Sequence, residues 1–128
     1  MPRIGSRYNY VDLVSDPFNS RLYSVSRNFD IIYINDTLTN NVVGNITIGK
    51  SSSGMVLNPD DHMIYTINLR DNSTSVIDSF TKRWIKDIYL GSTPQDIRVD
   101  PHVSGIFGLV FVALENNTIA VIDSFNQK

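Results

Sequence analysis

The sequence predicts an all-β domain assembled from copies of one four-stranded sheet. Three observations carry that prediction. The pentapeptide "VIDSF" stands at Val76–Ile77–Asp78–Ser79–Phe80 and again at Val121–Ile122–Asp123–Ser124–Phe125. Pro17, Pro59 and Pro101 are spaced by 42 residues, as are Tyr23 and Tyr65, Asp36 and Asp78, Thr39 and Thr81, Ile46 and Ile88, Gly49 and Gly91, and Val14 and Val56. The composition is strand-like: 15 Ile, 13 Asn and 12 Asp against two Ala and one Glu, which leaves few helix formers and many turn formers.

The second copy shows each element in order. Gly54–Met55–Val56–Leu57 reads as strand a, and Asn58–Pro59–Asp60–Asp61–His62 as the turn after it. Pro59 fixes φ and removes a donor where the ladder stops. Met63–Ile64–Tyr65–Thr66–Ile67–Asn68 is strand b, Leu69–Arg70–Asp71–Asn72 a loop, and Ser73–Thr74–Ser75–Val76–Ile77 strand c. At the c–d corner, Asp78 can accept a hydrogen bond from a backbone N–H two residues on. Trp84–Ile85–Lys86–Asp87–Ile88–Tyr89–Leu90 is strand d, and Trp84 is expected to pack into the core against the next sheet, with a binding aromatic as the alternative. Gly91 and Gly49 supply the bend into the following copy. The first copy weakens the pentapeptide to Ile34–Asn35–Asp36–Thr37–Leu38. The third copy slips: Phe111 takes the place of Tyr65 after four extra residues, and one residue is lost before Asp123.

A period of 42 residues with about four strands is the scale of a β-propeller blade. The expected organisation is one partial β-propeller domain over residues 1–128, of four-stranded antiparallel blades: blade 1 at about 10–49, blade 2 at about 54–91 and blade 3 at about 96–128. Lys128 aligns with Arg83, so the third blade is expected to lack its outer strand. Arg3–Ile4–Gly5 aligns with the tail of a strand d, Tyr89–Leu90–Gly91. Three blades fall short of the four to eight of closed propellers. The expectations are a piece of a larger propeller, self-association as a head-to-tail dimer closing a six-bladed ring, or a monomeric open arc, with Ile119–Ala120–Val121–Ile122 as an unpaired edge. A β-sandwich adhesin-like domain shares the even strand spacing. It does not need four strands to repeat with the same corner residues.

The pattern resembles the YVTN-repeat β-propellers, whose repeat runs Pro, an apolar strand, "SPDG", "YVTN", a loop, "VSVID", a turn, an Ile-rich strand and Gly. The matching residues are Pro94, Asn58–Pro59–Asp60, Tyr65–Thr66–Ile67–Asn68, Ser75–Val76–Ile77–Asp78 and Ile88–Tyr89–Leu90–Gly91. The first and third copies depart, with Tyr23–Ser24–Val25–Ser26 and Phe111–Val112–Ala113–Leu114 in place of the tetrapeptide. The resemblance covers nearly the whole chain and implies the blade. Members of that family do different jobs, so it does not imply an activity.

Other function classes find little support. A net charge of −2 gives no footprint for nucleic acid. There is no cysteine for a disulfide, a thiolate site or a nucleophile. The longest apolar run, Ile106–Leu114, is half of what a membrane helix needs, and Met1–Ser6 shows no signal-peptide core. Asp60, Asp61 and His62 read as a polar turn, because the equivalent Phe18–Asn19–Ser20 and His102–Val103–Ser104 do not repeat their chemistry. No metal or other cofactor is expected. Lys50–Gly54 lacks the order of a phosphate loop. Sequons at Asn35, Asn45, Asn72 and Asn116 fit an exported or cell-surface protein; Asn72 and Asn116, in b–c loops, are the expected accessible ones.

The reading is a non-catalytic binding module for a protein, glycan or surface, using the face formed by b–c and d–a loops. Arg27, Asn28, Phe29, Arg70, Asp71, Asn72 and Asn116 lie there, and Arg and aromatic residues dominate binding hot spots. The alternative is part of a propeller enzyme, a lactonase or cofactor-dependent oxidoreductase, with a site at the central channel. Asp12, Asp96 and Arg98 are the groups this chain would contribute to it.

Overall fold

The computed structural model describes residues 10–17, 19–26, 31–48, 52–58, 61–100 and 108–123. These form eleven strands in three antiparallel sheets, with no helix among the described residues. The first sheet is β1 (Tyr10–Asp16), β2 (Arg21–Ser26), β3 (Ile31–Asp36) and β4 (Asn41–Thr47), in that order. The second is β5 (Ser52–Asn58), β6 (Met63–Asn68), β7 (Ser73–Asp78) and β8 (Arg83–Tyr89). The third is β9 (Pro94–Asp100), β10 (Leu109–Leu114) and β11 (Ile119–Asp123); among the described residues β11 has a neighbour only in β10. The expected stub before Tyr10 and the chain after Asp123 lie outside the described residues.

The repeat extends to irregularities of the backbone. Each strand a is bulged near its start, between Tyr10 and Asp12, Ser52 and Gly54, and Pro94 and Asp96. Each complete c–d pair is bulged at one place, opposite Ile34–Asn35 and opposite Val76–Ile77. A bulge bends a strand and increases its twist, so identical bulges give each sheet the same shape. The turns repeat too. Ser20 and His62 take positive φ (54° and 59°) in the a–b turns, and Asn40 and Lys82 (62° and 60°) in the c–d turns. Gly91, at φ 79°, ends the second sheet in a conformation that a side chain would resist. As expected for the c–d corner, Asp36 Oδ1 accepts the Leu38 N–H at 2.8 Å and Asp78 Oδ1 the Phe80 N–H at 2.9 Å.

The sheets stack face to face, with β1 beside β5 and β5 beside β9. Between the first two, Tyr23, Val25, Ile32, Ile34 and Ile46 meet Met55, Ile64 and Ile77. Between the second and third, Tyr65, Ile67 and Val76 meet Ile97, Val110, Val112, Leu114 and Ile122. The middle sheet is therefore buried on both faces, and its central strands β6 and β7 are closed to solvent along nearly their whole length. Each fully buried aliphatic side chain contributes about 1.5–3 kcal/mol. The outer strands β4 and β8 are largely exposed. Trp84 lies on β8 and is half exposed, so the expectation that it packs in the core is corrected. Strand d is the rim of the sheet, and the indole instead spans its own strand, with Nε1 donating to Asp87 Oδ1 at 2.9 Å.

Candidate functional site

The turns collect on two opposite rims of the stack. One rim carries the b–c turns and d–a connections expected to bind. Arg70 is exposed there, next to Leu69 at 40% exposure and Asp71. Asn72 holds φ 54°, a left-handed conformation that Asn tolerates. Its carbonyl oxygen accepts the Leu90 N–H at 2.8 Å, and its Oδ1 accepts the Thr93 hydroxyl at 3.0 Å. Thr93 in turn accepts the Glu115 N–H at its carbonyl oxygen, 2.8 Å. Asn116 follows, exposed, with Oδ1 accepting the Thr118 hydroxyl. Thr93 thus stitches the b–c turn of the second sheet to that of the third and makes one continuous surface of Arg70, Asp71, Asn72 and Asn116. Arg27, Asn28 and Phe29 lie outside the described residues. Of the sequons, Asn35 is buried at 2% exposure.

The opposite rim carries the a–b and c–d turns. There a cavity of about 190 Å³ opens between the first two sheets, lined by Asn19, Arg21, Tyr23, Ser79, Phe80 and Lys82. Burial pushes the Tyr23 phenol above its usual range, and the Asp16 carboxylate adds to the effect; a hydrogen bond with Ser79 and the Arg21 charge pull the other way. Arg21 lies 3.6 Å from Asp36 and also donates to the Ser20 carbonyl at 3.2 Å. Asp16, 2% exposed, accepts from Asn19 Nδ2 at 2.8 Å. His62 Nδ1 stands 3.9 Å from Asp16, beyond hydrogen-bond reach. Ser79 Oγ donates to the His62 carbonyl oxygen at 2.5 Å and not to the imidazole, so Ser79, His62 and Asp16 do not form a nucleophilic triad. The cavity offers hydroxyl, amide and cationic donors to a small oxygen-rich group. Its signal in the sequence is departure from the repeat: Arg21 occupies the position held by Met63 and Leu109 in the other copies, and Lys82 that of Asn40.

The groups expected at a central channel are each engaged by nearby protein groups. Asp12 Oδ2 accepts the Met55 N–H at 2.9 Å across to the next sheet, while its Oδ1 accepts the Leu13 N–H at 2.8 Å. Asp96 Oδ1 accepts the Ile97 N–H and pairs with Arg98 at 2.6 Å. No group of three or more His, Asp or Glu among the described residues could hold a metal ion.

These features, stacked four-stranded sheets with their first strands side by side and their turns on two rims, define a β-propeller. Solved structures agree. Hydrazine synthase of Kuenenia stuttgartiensis superposes with a TM-score of 0.82 over 98% of this chain at 23% identity. U3-55K and the WD40 repeats of RRP9 each superpose with a TM-score of 0.79 over 98% of it at 9% identity. The chain spans 36%, 39% and 38% of those three chains, little more than a third of each. No family model and no curated protein matches the sequence.

Proposed function

We propose that this chain is a non-catalytic β-propeller module of the YVTN-repeat type, with blades at about 10–49, 54–91 and 96–128, that binds a protein through its b–c rim. The observation that carries this reading is the rim itself. Thr93 fixes two successive b–c turns to each other, and the fixed surface presents Arg70 and Leu69 to solvent. A pre-ordered surface loses little entropy on binding, and an Arg beside an apolar residue is a good anchor. Arg70, Asp71, Asn72 and Asn116 form the described part of the site, and Arg27, Asn28 and Phe29 are assigned to the same rim by the repeat. The commitment of Asp12 to a backbone N–H and of Asp96 to Arg98 disfavours the lactonase or oxidoreductase alternative. Self-association through the ends of the sheet stack belongs to the same reading.

A photo-crosslinking residue at Leu69, compared with one at Ile85 on the outer strand β8, tests the rim in extract of the source cell. The expected result is a discrete protein adduct from position 69 only, reduced at least fivefold by Arg70→Ala. Identical adducts from both positions overturn the reading. So does the absence of protein adducts together with binding on a glycan array.

A further inference from the structure

The cavity between the first two sheets holds two cations whose donors are not spent. Arg21 begins β2, where the next two sheets have Met63 and Leu109. Its contacts all run through Nη1: to the carbonyl oxygens of Asn19 and Ser20 at 3.4 and 3.2 Å, and to Asp36 at 3.6 Å. The Nε–Nη2 edge has no partner among the described residues. Lys82 stands in the c–d turn of the second sheet, at the place of Asn40 in the first. It holds φ 60°, a left-handed conformation that Asn accepts more readily than Lys. Its side chain reaches across the seam to β4, where a Cβ on Gly44 would lie 3.4 Å from Lys82 Nζ and 3.8 Å from its Cδ. The ammonium has no hydrogen bond or ion pair among the described residues.

The other polar groups of the wall are committed. Ser79 Oγ donates to the His62 carbonyl oxygen and shares a hydrogen bond with Tyr23, and Asn19 Nδ2 donates to Asp16. Phe80 lines the same cavity and is 61% exposed, its ring 4.3 Å from that of His62. The site therefore pairs free cationic donors with an apolar ring. Its charge limits what can enter. Asp36 lies beside Arg21, and the buried Asp16 carboxylate acts on Tyr23. Two positive charges among two negative ones hold one further negative charge better than two, because like charges a few ångströms apart repel. The parallel N–H groups of a free arginine edge match the two oxygens of a carboxylate.

We propose that this cavity binds a monocarboxylate carried on an apolar or aromatic skeleton. Arg21 Nε and Nη2 donate to the two carboxylate oxygens, Lys82 supplies the second positive charge, and the skeleton packs on Phe80. The site belongs to this seam alone among the described ones, since Met63 replaces Arg21 at the next. Two sources carry this chemistry, a free organic acid and the C-terminus of a peptide, and the probes below separate them. The site lies on the rim opposite the b–c turns and does not depend on them. A failed crosslink at Leu69 leaves it standing, and its own failure leaves the b–c rim standing.

Amide chemical shifts of the isotope-labelled chain, titrated with sodium benzoate at neutral pH and constant ionic strength, test the proposal. Benzoate should saturate with a dissociation constant of about 1 mM, and the shifts should centre on residues 19–23 and 79–82. Benzamide keeps the ring and loses the charge, and phenyl phosphate carries nearly two charges; each should bind at least about fivefold more weakly. Arg21→Gln should weaken benzoate about tenfold, and Arg21→Lys nearly as much, because lysine lacks the paired donors. Lys82→Gln and Phe80→Ala should each cost about threefold. Asp36→Asn acts in the opposite direction. It removes the competing carboxylate, keeps an oxygen for the Leu38 N–H, and should tighten benzoate about threefold, a gain that a merely structural role for Arg21 does not produce. Tighter binding of N-acetylphenylalanine than of benzoate assigns the peptide end, and the reverse order the free acid. No saturation by about 20 mM overturns the proposal. So does benzamide or phenyl phosphate binding as tightly as benzoate, or an affinity that Asp36→Asn does not raise. Circular dichroism checks that each variant is folded; Asp36→Asn and Lys82→Gln decide if Arg21→Gln is not.

Discussion

The second and third sheets share strand order, register and bulges, yet corresponding positions sit in opposite surroundings. Tyr65, Thr74 and Val76 are sealed, whereas Phe111, Ile119 and Val121 face outward. The reverse faces differ in kind. On the second sheet a buried polar chain runs from Thr66 through Asn68 to Ser73 and Ser75, whose hydroxyl donates to Asp87 at 2.6 Å. On the third sheet the same positions are Val112, Leu114 and Ala120, and the face is apolar. The repeat therefore conserves the backbone plan, and each seam chooses its own filling. What a position contributes depends on the sheet laid against it.

The largest expected contrast comes from one charge placed on each sheet. Val76→Asp puts an unpaired carboxylate between two sheets at 0% exposure and should cost more than about 4 kcal/mol, enough to abolish cooperative unfolding. Val121→Asp, at 52% exposure, should change the stability of the isolated chain by less than about 0.5 kcal/mol. Urea titration followed by circular dichroism measures both. Equal losses at the two sites would show that the third-sheet face is covered in the isolated chain.

The hydrogen bond from the Met55 N–H to Asp12 supplies the next contrast. Asp12→Ala removes an ionised acceptor from a partly buried backbone N–H and should cost about 1.5–3 kcal/mol. Asp96→Ala should cost less, about 1 kcal/mol or below, since it loses only the local bond from the Ile97 N–H and an exposed ion pair with Arg98. Comparable losses would mean that Asp12 acts only through its local bond to Leu13.

Much of this architecture was legible in the residues. The 42-residue spacing located the strands of the second sheet to within about two residues, and the Asp of the c–d corner announced its own turn. Trp84 was misread because a large aromatic in a strand suggests a core, whereas strand d is the outermost of its sheet and its ring finds a partner in Asp87. The bond between Asp12 and the Met55 N–H was not legible. An Asp that bonds a backbone N–H 43 residues away looks the same as one that faces water, and nothing local marks it. The b–c rim residues could be named, but not the hydroxyl of Thr93 that ties two turns together, because that contact spans 21 residues.

The buried polar chain gives a smaller and more discriminating test. Asn68→Ala strips Ser73 and Ser75 of a donor in a sealed space and should cost about 1–3 kcal/mol. Asn68→Leu combined with Ser75→Ala copies Leu114 and Ala120 of the third sheet. It should cost less than the single change, since removing both partners leaves fewer orphaned groups. Thermal unfolding of the two variants decides. A double variant worse than the single one would show that the chain also supports Asp87 and Trp84 on the outer strand.

The smallest expected effect separates the two ends of the stack by pH. Tyr23, 3% exposed, keeps its proton to a higher pH than an ordinary tyrosine, chiefly because burial disfavours the phenolate. The folded state therefore binds that proton more tightly than the unfolded chain, whose tyrosines titrate near pH 10. The stabilisation is complete below pH 10 and is lost as pH rises from 10 through the folded value, at a slope of up to one proton. The measurement is a difference: unfolding free energy between pH 9 and 11 for wild type and Tyr23→Phe. The variant should fall less steeply. Phe111→Tyr places a phenol at the corresponding position of the third sheet, on the face turned to solvent, and should add no slope while that face stays open. An added slope that appears only at concentrations where the chain associates would mean that the open face closes on association, and that the third sheet then acquires the surroundings the second already has.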